Sequence, residues 1–183
     1  MLIKNKPIVI LANYRTGSSV LAKKIAQDHN IPCFPEPAIT EERREDFLKY
    51  YNTTKEYVVK FMPDQIDAFA PYKELIDSNC YKIKIIRKNT VEQIASYYIA
   101  KIRNKWWTTE EESETNYFVP IDKDLLNKSI EEILTVNQLL ASYTEVDKEI
   151  VYEDLGILTG LDRKISMKPA NLKQLLNIIE RRL

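Results

Sequence analysis

Histidine is nearly absent from this chain, which has one, His29, among 183 residues. A single histidine excludes every metal site built on a pair of histidines. The two cysteines, Cys33 and Cys80, stand in neither a CxxC nor a Cys/His spacing, so we expect reduced, mostly buried thiols and no disulfide framework. We therefore expect no bound metal.

An excess of charge of one sign is also missing. Lys and Arg number 27 and Asp and Glu number 27, so the formal net charge is zero. A neutral chain has no general attraction for nucleic acid or for an anionic membrane, and we expect neither as a partner. No apolar run approaches the roughly 20 residues of a membrane span, and the N-terminus lacks a secretory signal pattern. These absences predict a cytoplasmic protein and leave its oligomeric state open.

Alternating strand and helix patterns are what the sequence does contain. A length of 183 residues suits one domain, residues 1–183. Short apolar runs rich in β-branched residues predict strands at 7–12, 57–62, 81–86 and 149–152. Apolar residues at helical spacing predict helices at 20–30, 64–77, from 90, at 126–143 and at 172–183, the last with Asn171 as its cap. The alternation predicts a three-layer, P-loop-like α/β fold with a central, mainly parallel sheet flanked by helices.

Glycine is scarce, and Gly17 is the only one before residue 156. It lies between the first predicted strand and helix, in a polar turn at 13–19. A helix start offers unpaired N–H groups, glycine permits close approach of a ligand, Arg15 adds a cation and Ser18 and Ser19 add hydroxyls. These features predict an anion cradle; the alternative is a tight turn with a capping serine and a surface arginine. The turn is no Walker A loop, because it lacks the earlier glycine and the lysine.

This turn resembles the loop that opens the PAPS-dependent sulfotransferases, which transfer a sulfuryl group from 3′-phosphoadenosine 5′-phosphosulfate (PAPS). The family pattern is [YP]-[RK]-[ST]-G-[ST]-[ST], and in the family this loop holds the 5′-phosphosulfate. The matching residues here are Tyr14, Arg15, Thr16, Gly17, Ser18 and Ser19.

A second stretch, residues 86–96, is similar to the R-[RK]-[DN]-x-x-x-Q-x-x-S pattern of the bacterial trehalose-sulfotransferase-like branch. In the family, a basic residue and a serine of this motif bind the 3′-phosphate. The serine is Ser96, and the basic residue is either Lys88, eight positions before it, or Arg87, nine positions before it. Tyr152-Glu153-Asp154-Leu155 resembles the late Y-E-D-L segment of the family.

The resemblance implies in-line transfer of a sulfuryl group to a hydroxyl or amine of a small acceptor, a sugar or a lipid among the candidates. It assigns to Arg15 the role of stabilising the negative charge that builds on the leaving phosphate oxygen. It assigns the catalytic base to Glu36, in Pro35-Glu36-Pro37, with His29 as the less favoured choice. No metal is required in the family.

The sequence leaves several assignments undecided. Trp106 and Trp107 form either a wall of the acceptor site or an anchor for their loop, and the acidic stretch at 110–114 is expected to be a solvated loop. Arg163, Lys164 and Lys168 lie where relatives carry a late basic loop over the 3′-phosphate. The alternative functions are a P-loop-like nucleotide kinase or NTPase and a non-catalytic nucleotide-binding protein of the same fold.

Overall fold

Five strands alternate with helices in a computed structural model that describes residues 6–53, 56–106, 117–156 and 169–183. The strands are β1 (Ile8–Ala12), β2 (Cys33–Pro35), β3 (Val58–Phe61), β4 (Tyr81–Ile86) and β5 (Lys148–Val151). The helices are α1 (Ser18–His29), α2 (Glu41–Tyr51), α3 (Ala70–Asp77), α4 (Thr90–Arg103), α5 (Lys123–Ser142) and α6 (Leu172–Glu180). Short 3-10 turns cover Pro37–Ile39, Pro63–Gln65 and Tyr152–Asp154.

The strands form one parallel sheet in the order β2-β3-β1-β4-β5. Strand β1 lies in the centre, where Ile8 pairs with Val58 of β3 on one side and with Tyr81 of β4 on the other. All five residues of β1 are buried. A parallel strand covered by helices on both faces reads as a continuous apolar run, which is why its sequence shows no alternation.

Helices cover both faces of the sheet. On one face, Val9 and Leu11 pack with Phe47 of α2 and Tyr72 of α3. On the other, the intervening residues of β1 pack against α1; this cluster includes Ile8, Ile10, Ala12, Leu21, Ala22 and Ala26. The predicted α/β class, with a central parallel sheet flanked by helices, is therefore confirmed.

A separate apolar cluster fixes helix α4 in place. It joins α4 to α5 and α6 through buried residues that include Ile94, Tyr98, Leu126, Ile133, Leu175 and Ile179. Because α4 carries Ser96, this packing sets where that hydroxyl lies relative to the sheet. Within the described ranges, none of the helices combines the length and the apolar composition needed to cross a membrane.

Strand β2 is the main departure from the sequence prediction, because it is not among the four predicted strands. It has three residues, lies at the edge of the sheet and includes Pro35, which pairs with Lys60 of β3. Proline is tolerated on an edge strand because the N–H that it lacks has no required partner on the open side. Cys33 of this strand is half-buried and Cys80 is buried, and both are free thiols as expected.

Two helix starts also differ from expectation. The segment predicted as one helix over 64–77 begins with a 3-10 turn, and the α-helix starts only at Ala70, followed by Pro71 in its first turn. Asn171 precedes α6 but does not cap it through its side chain. Its amide instead exchanges two hydrogen bonds with the backbone of Val119, at 3.1 and 2.8 Å. A buried amide paired with buried backbone satisfies more polar groups than a solvent-facing cap would.

Candidate functional site

The candidate site lies where the chain leaves strands β1 and β4. After β1 the chain passes through α1 to β2 at one edge of the sheet, whereas after β4 it passes to β5 at the opposite edge. The two connections diverge between neighbouring strands, which opens a crevice at their carboxyl ends. The segment 13–17 and the segment 87–89 border this crevice, so the two sequence motifs meet there.

Three successive backbone carbonyls of the segment 13–17 each accept a hydrogen bond from a side chain. A trans peptide points its C=O and its N–H to opposite sides. The N–H groups of Arg15 and Thr16 therefore point away from these donors. The bonds run from Thr16 Oγ1 to Asn13 O (2.8 Å), from Gln93 Nε2 to Tyr14 O (2.8 Å) and from Arg87 Nη1 to Arg15 O (3.0 Å).

Asn13 anchors this loop to helix α5. It is fully buried, and its Nδ2 donates to the carbonyl of Ile133 at 2.9 Å and to Oδ1 of Asn137 at 2.8 Å. Its own Oδ1 accepts from the N–H of Tyr14 at 2.6 Å. The side-chain amide of Asn137 in turn donates to Gln93 at 3.3 Å, so side-chain amides of two helices hold the loop.

The start of helix α1 offers further N–H donors to the crevice. Gly17 is the N-cap residue and supplies no side chain to cap the first turn. The N–H of Val20 already donates to the Gly17 carbonyl at 3.0 Å, so the N–H groups of Ser18 and Ser19 are the ones that the helix start leaves without an intrahelical acceptor. Ser18 and Ser19 are buried at this helix start, whereas the hydroxyl of Thr16 is used inside the loop. This arrangement supports the predicted anion cradle for the backbone, but not a ligand role for the Thr16 hydroxyl.

Gly17 is required by packing as well as by conformation. Its φ of +67° lies in the left-handed region. A Cβ at this position would lie 3.1 Å from Cδ1 of Leu155 and 3.3 Å from the ring of Tyr152. The Y-E-D-L segment after β5 thus packs directly on the loop.

Arg15 links the two motifs. Its Nε donates to Ser96 Oγ at 2.9 Å, and its Nη1 donates to the carbonyl of Trp106 at 2.8 Å. Burial lowers the pKa of the guanidinium, and the nearby positive charge of Arg87 lowers it further, against an opposing effect of Tyr152. No carboxylate in the described part of the chain forms an ion pair with Arg15. A half-buried cation of this kind is complementary to an anionic ligand.

Arg87 and Lys88 differ sharply in their surroundings. The Arg87 side chain is 8% exposed, lies over the Tyr152 ring at 4.5 Å and pairs with Glu92 at 3.2 Å. Lys88 is exposed; its backbone N–H donates to the carboxylate of Glu153 at 3.2 Å, and its carbonyl accepts from the N–H of Thr90 at 3.0 Å.

The Glu153 carboxylate also accepts from the N–H of Asn89 at 3.0 Å. Burial on its own raises the pKa of Glu153, but the hydrogen bonds from Asn89 and Lys88 outweigh it, and the net shift is downward. An ionised Glu153 therefore holds the segment 87–89 at the start of α4.

Glu36 lies at the carboxyl end of β2 and forms an ion pair with buried Lys60 of β3. Its N–H also donates to the Lys60 carbonyl at 2.7 Å. Burial lowers the pKa of Lys60, and the nearby carboxylate of Asp64 opposes this shift. The sequence reasoning proposed Glu36 but missed Lys60.

Aromatic rings and carboxylates extend the site from the loop toward α4. The Tyr14 ring lies 4.7 Å from that of Tyr97, which lies 5.7 Å from that of half-exposed Trp106. The Tyr14 hydroxyl donates to Asp64 at 3.3 Å, and the Tyr97 hydroxyl donates to Glu132 at 2.9 Å. Burial raises the pKa of Asp64, against the effect of the Tyr14 hydrogen bond.

Sequence reasoning missed these acidic partners. Asp64 follows the end of β3, so the rule that drew attention to the loop after β1 would have found it. Glu132 carries no such signal, because it lies in the middle of α5.

The remaining predicted residues are not brought to the crevice or are not described. His29 lies in the last turn of α1, at the opposite end of that helix from Gly17. The other predictions fall outside the described residues: Trp107, the acidic stretch 110–114, Arg163, Lys164 and Lys168.

Comparison with known proteins assigns neither a family nor a function. No family model matches the sequence, and no curated protein matches it. Among solved structures, an uncharacterized protein from Eubacterium ventriosum ATCC 27560 aligns with a TM-score of 0.44 at 12% identity, over 85% of this chain and 96% of that chain. The function must therefore be argued from the site.

Proposed function

We propose that this chain is a sulfotransferase that moves a sulfuryl group from PAPS to a hydroxyl or amine of a small acceptor. The observation that carries the proposal is the 2.9 Å hydrogen bond between Arg15 Nε and Ser96 Oγ. The resemblance assigns these two residues to opposite ends of one nucleotide. Their contact supports a single site that reaches both ends.

The cradle after β1 would receive the 5′-phosphosulfate. Backbone N–H groups at the start of α1, together with the cation of Arg15, suit an oxyanion in a partly desolvated crevice. In the transfer, the bond between sulfur and the phosphate oxygen breaks while a bond from the acceptor oxygen to sulfur forms. Negative charge then builds on the departing phosphate oxygen, and Arg15 stabilises that charge.

Glu36 would take the proton that the acceptor hydroxyl loses. Its ion pair with Lys60 fixes the position of the carboxylate beside the sheet edge. The transfer then needs no metal in its proton balance, since the proton passes from the acceptor to Glu36. The aromatic rings of Tyr14, Tyr97 and Trp106 border the same crevice and would form an apolar wall for the acceptor.

Titration calorimetry with the desulfonated product, adenosine 3′,5′-bisphosphate (PAP), tests the proposal. PAP should bind without magnesium, and Arg15→Ala should weaken binding about 10- to 100-fold, the effect of losing one charged hydrogen-bond donor. Arg181→Ala removes an exposed arginine after α6 and serves as the matched control, with unchanged affinity expected.

Two other outcomes have distinct meanings. Binding and hydrolysis of ATP with Mg²⁺, without binding of PAP, would replace the proposal by a nucleotide kinase or NTPase. Binding of PAP without turnover on a broad panel of hydroxylated sugars, lipids and amines would identify a nucleotide-binding protein that lacks the activity.

A further inference from the structure

We propose that Arg87 is a positioning residue that holds the loop 13–17 from behind, and that Lys88 is the cation that meets the 3′-phosphate. This inference rests on the proposed function. It decides between two neighbouring basic residues that the sequence motif leaves equivalent.

Both terminal nitrogens and one face of the Arg87 guanidinium are already in contact with other groups. Nη1 donates to the Arg15 carbonyl at 3.0 Å and Nη2 pairs with Glu92 at 3.2 Å. One face of the group covers the Tyr152 ring at 4.5 Å. Its Nε is buried and has no hydrogen-bond partner among the described residues. A phosphate that reached Nη1 or the covered face would displace a contact with the loop or with Tyr152.

The contacts of Arg87 act on the part of the loop that would bind the 5′ end of the nucleotide. By holding the Arg15 carbonyl, Arg87 turns the N–H of Thr16 to the opposite side of the peptide. The Tyr152 ring beneath Arg87 also lies beside Gly17, 3.3 Å from where a Cβ of that residue would stand. Arg87, Tyr152 and Gly17 therefore form one packed stack, and loss of the guanidinium would loosen the cradle.

The side chain of Lys88, unlike that of Arg87, is exposed. Glu153 fixes its backbone, while its side chain is exposed at the rim of the crevice. A lysine is a flexible point charge that can reach a phosphate without a fixed fork geometry. It directly precedes the segment that starts α4, the helix that carries Ser96.

Two mononucleotides separate the roles, because 5′-AMP carries only the 5′-phosphate and 3′-AMP only the 3′-phosphate. Calorimetry should show that Arg87→Met weakens 5′-AMP about tenfold and leaves 3′-AMP within twofold. Lys88→Ala should do the reverse. Methionine keeps an unbranched apolar side chain beside Tyr152 but donates no hydrogen bond, and Arg87→Lys, which restores one donor, should recover part of the lost 5′-AMP affinity.

The other results overturn the inference in distinguishable ways. Selective loss of 3′-AMP binding in Arg87→Met would make Arg87 a phosphate ligand. Equal loss of both nucleotides, in Arg87→Met and in Arg87→Lys alike, would mean a general loss of structure, which thermal unfolding would also register. Unchanged affinities would leave Arg87 without a role at the site. If the unmodified protein binds PAP and neither mononucleotide, the split between the two ends is wrong; if it binds none of the three, the proposed function itself fails.

Discussion

Gly17→Ala is the substitution for which the structure gives the best-defined cost. A residue with a Cβ pays about 1–2 kcal/mol in the left-handed region that Gly17 occupies at φ +67°. The added Cβ would also lie 3.1 Å from the end of the Leu155 side chain and 3.3 Å from the Tyr152 ring. Leu155 can rotate away, but the ring is held under Arg87 and yields less. We expect the free energy of unfolding to fall by about 2–3 kcal/mol in total.

Urea denaturation followed by circular dichroism measures this cost, and a double-mutant cycle divides it. Leu155→Ala removes the nearest contacting carbon, so the pair Gly17→Ala with Leu155→Ala should lose about 0.5–1 kcal/mol less than the sum of the single changes. The backbone part of the cost should persist in the pair. A Gly17→Ala protein within about 0.5 kcal/mol of the unmodified one would refute both the left-handed conformation and the packing.

The remaining predictions concern side chains around the crevice. Glu36→Gln should leave PAP affinity nearly unchanged and slow transfer roughly a hundredfold or more, measured as PAP released from PAPS; unchanged turnover would remove Glu36 from the mechanism. Tyr14→Phe should raise the pKa of Asp64 further, because a hydrogen bond to the charged form is lost; a carbon-detected NMR titration of the carboxyl measures it. The folded pKa of Asp64 is already raised, so this group makes the protein less stable as pH rises from its unfolded to its folded pKa, and Asp64→Asn should flatten that part of the pH profile. Asn13→Ala should lower the free energy of unfolding, measured by urea denaturation, by about 2–4 kcal/mol, because it removes three hydrogen bonds and leaves the N–H of Tyr14 and the side-chain oxygen of Asn137 without these partners.

The elements that the sequence predicted best are those whose signal is local. Strands β1 and β4 are apolar runs long enough to be recognised on their own. Strand β2 has three residues and contains Pro35, so nothing in its own sequence favours a strand. It forms because β3 presents an unpaired edge beside it, which is a property of the folded sheet. The predicted start of the helix at residue 64 was wrong for a related reason, since apolar spacing alone did not locate the start at Ala70.

In the candidate site, too, the sequence predicted local motifs but not the contacts between distant residues. The loop after β1 and the motif that ends in Ser96 each have a recognisable pattern, and both lie at the crevice. The residues that hold them in place have no such pattern. Lys60 forms an ion pair with Glu36 of the neighbouring strand end, and Asn13 hydrogen-bonds to Asn137, which is more than half of the chain away in sequence. Such pairs are set by the topology of the sheet and by helix packing, so one sequence without the fold does not indicate them.

Backbone conformation gives an independent reason to look at the two residues proposed for the chemistry. Among the described residues, four other than glycine have positive φ. Two of them, Asn30 and Asn104, end helices in the left-handed conformation that commonly terminates a helix. The other two are Arg15, at φ 60°, and Glu36, at φ 55°.

Neither residue has the short side chain that tolerates this conformation, so each carries a backbone cost of order 1–3 kcal/mol. The surrounding contacts hold them there: Arg87 binds the Arg15 carbonyl, and the Lys60 carbonyl accepts from the Glu36 N–H. Strain of this kind persists where the neighbouring structure fixes a side chain in a required direction. These two positions coincide with the proposed charge stabiliser and the proposed base, and a site that holds its reacting side chains in fixed directions accounts for both.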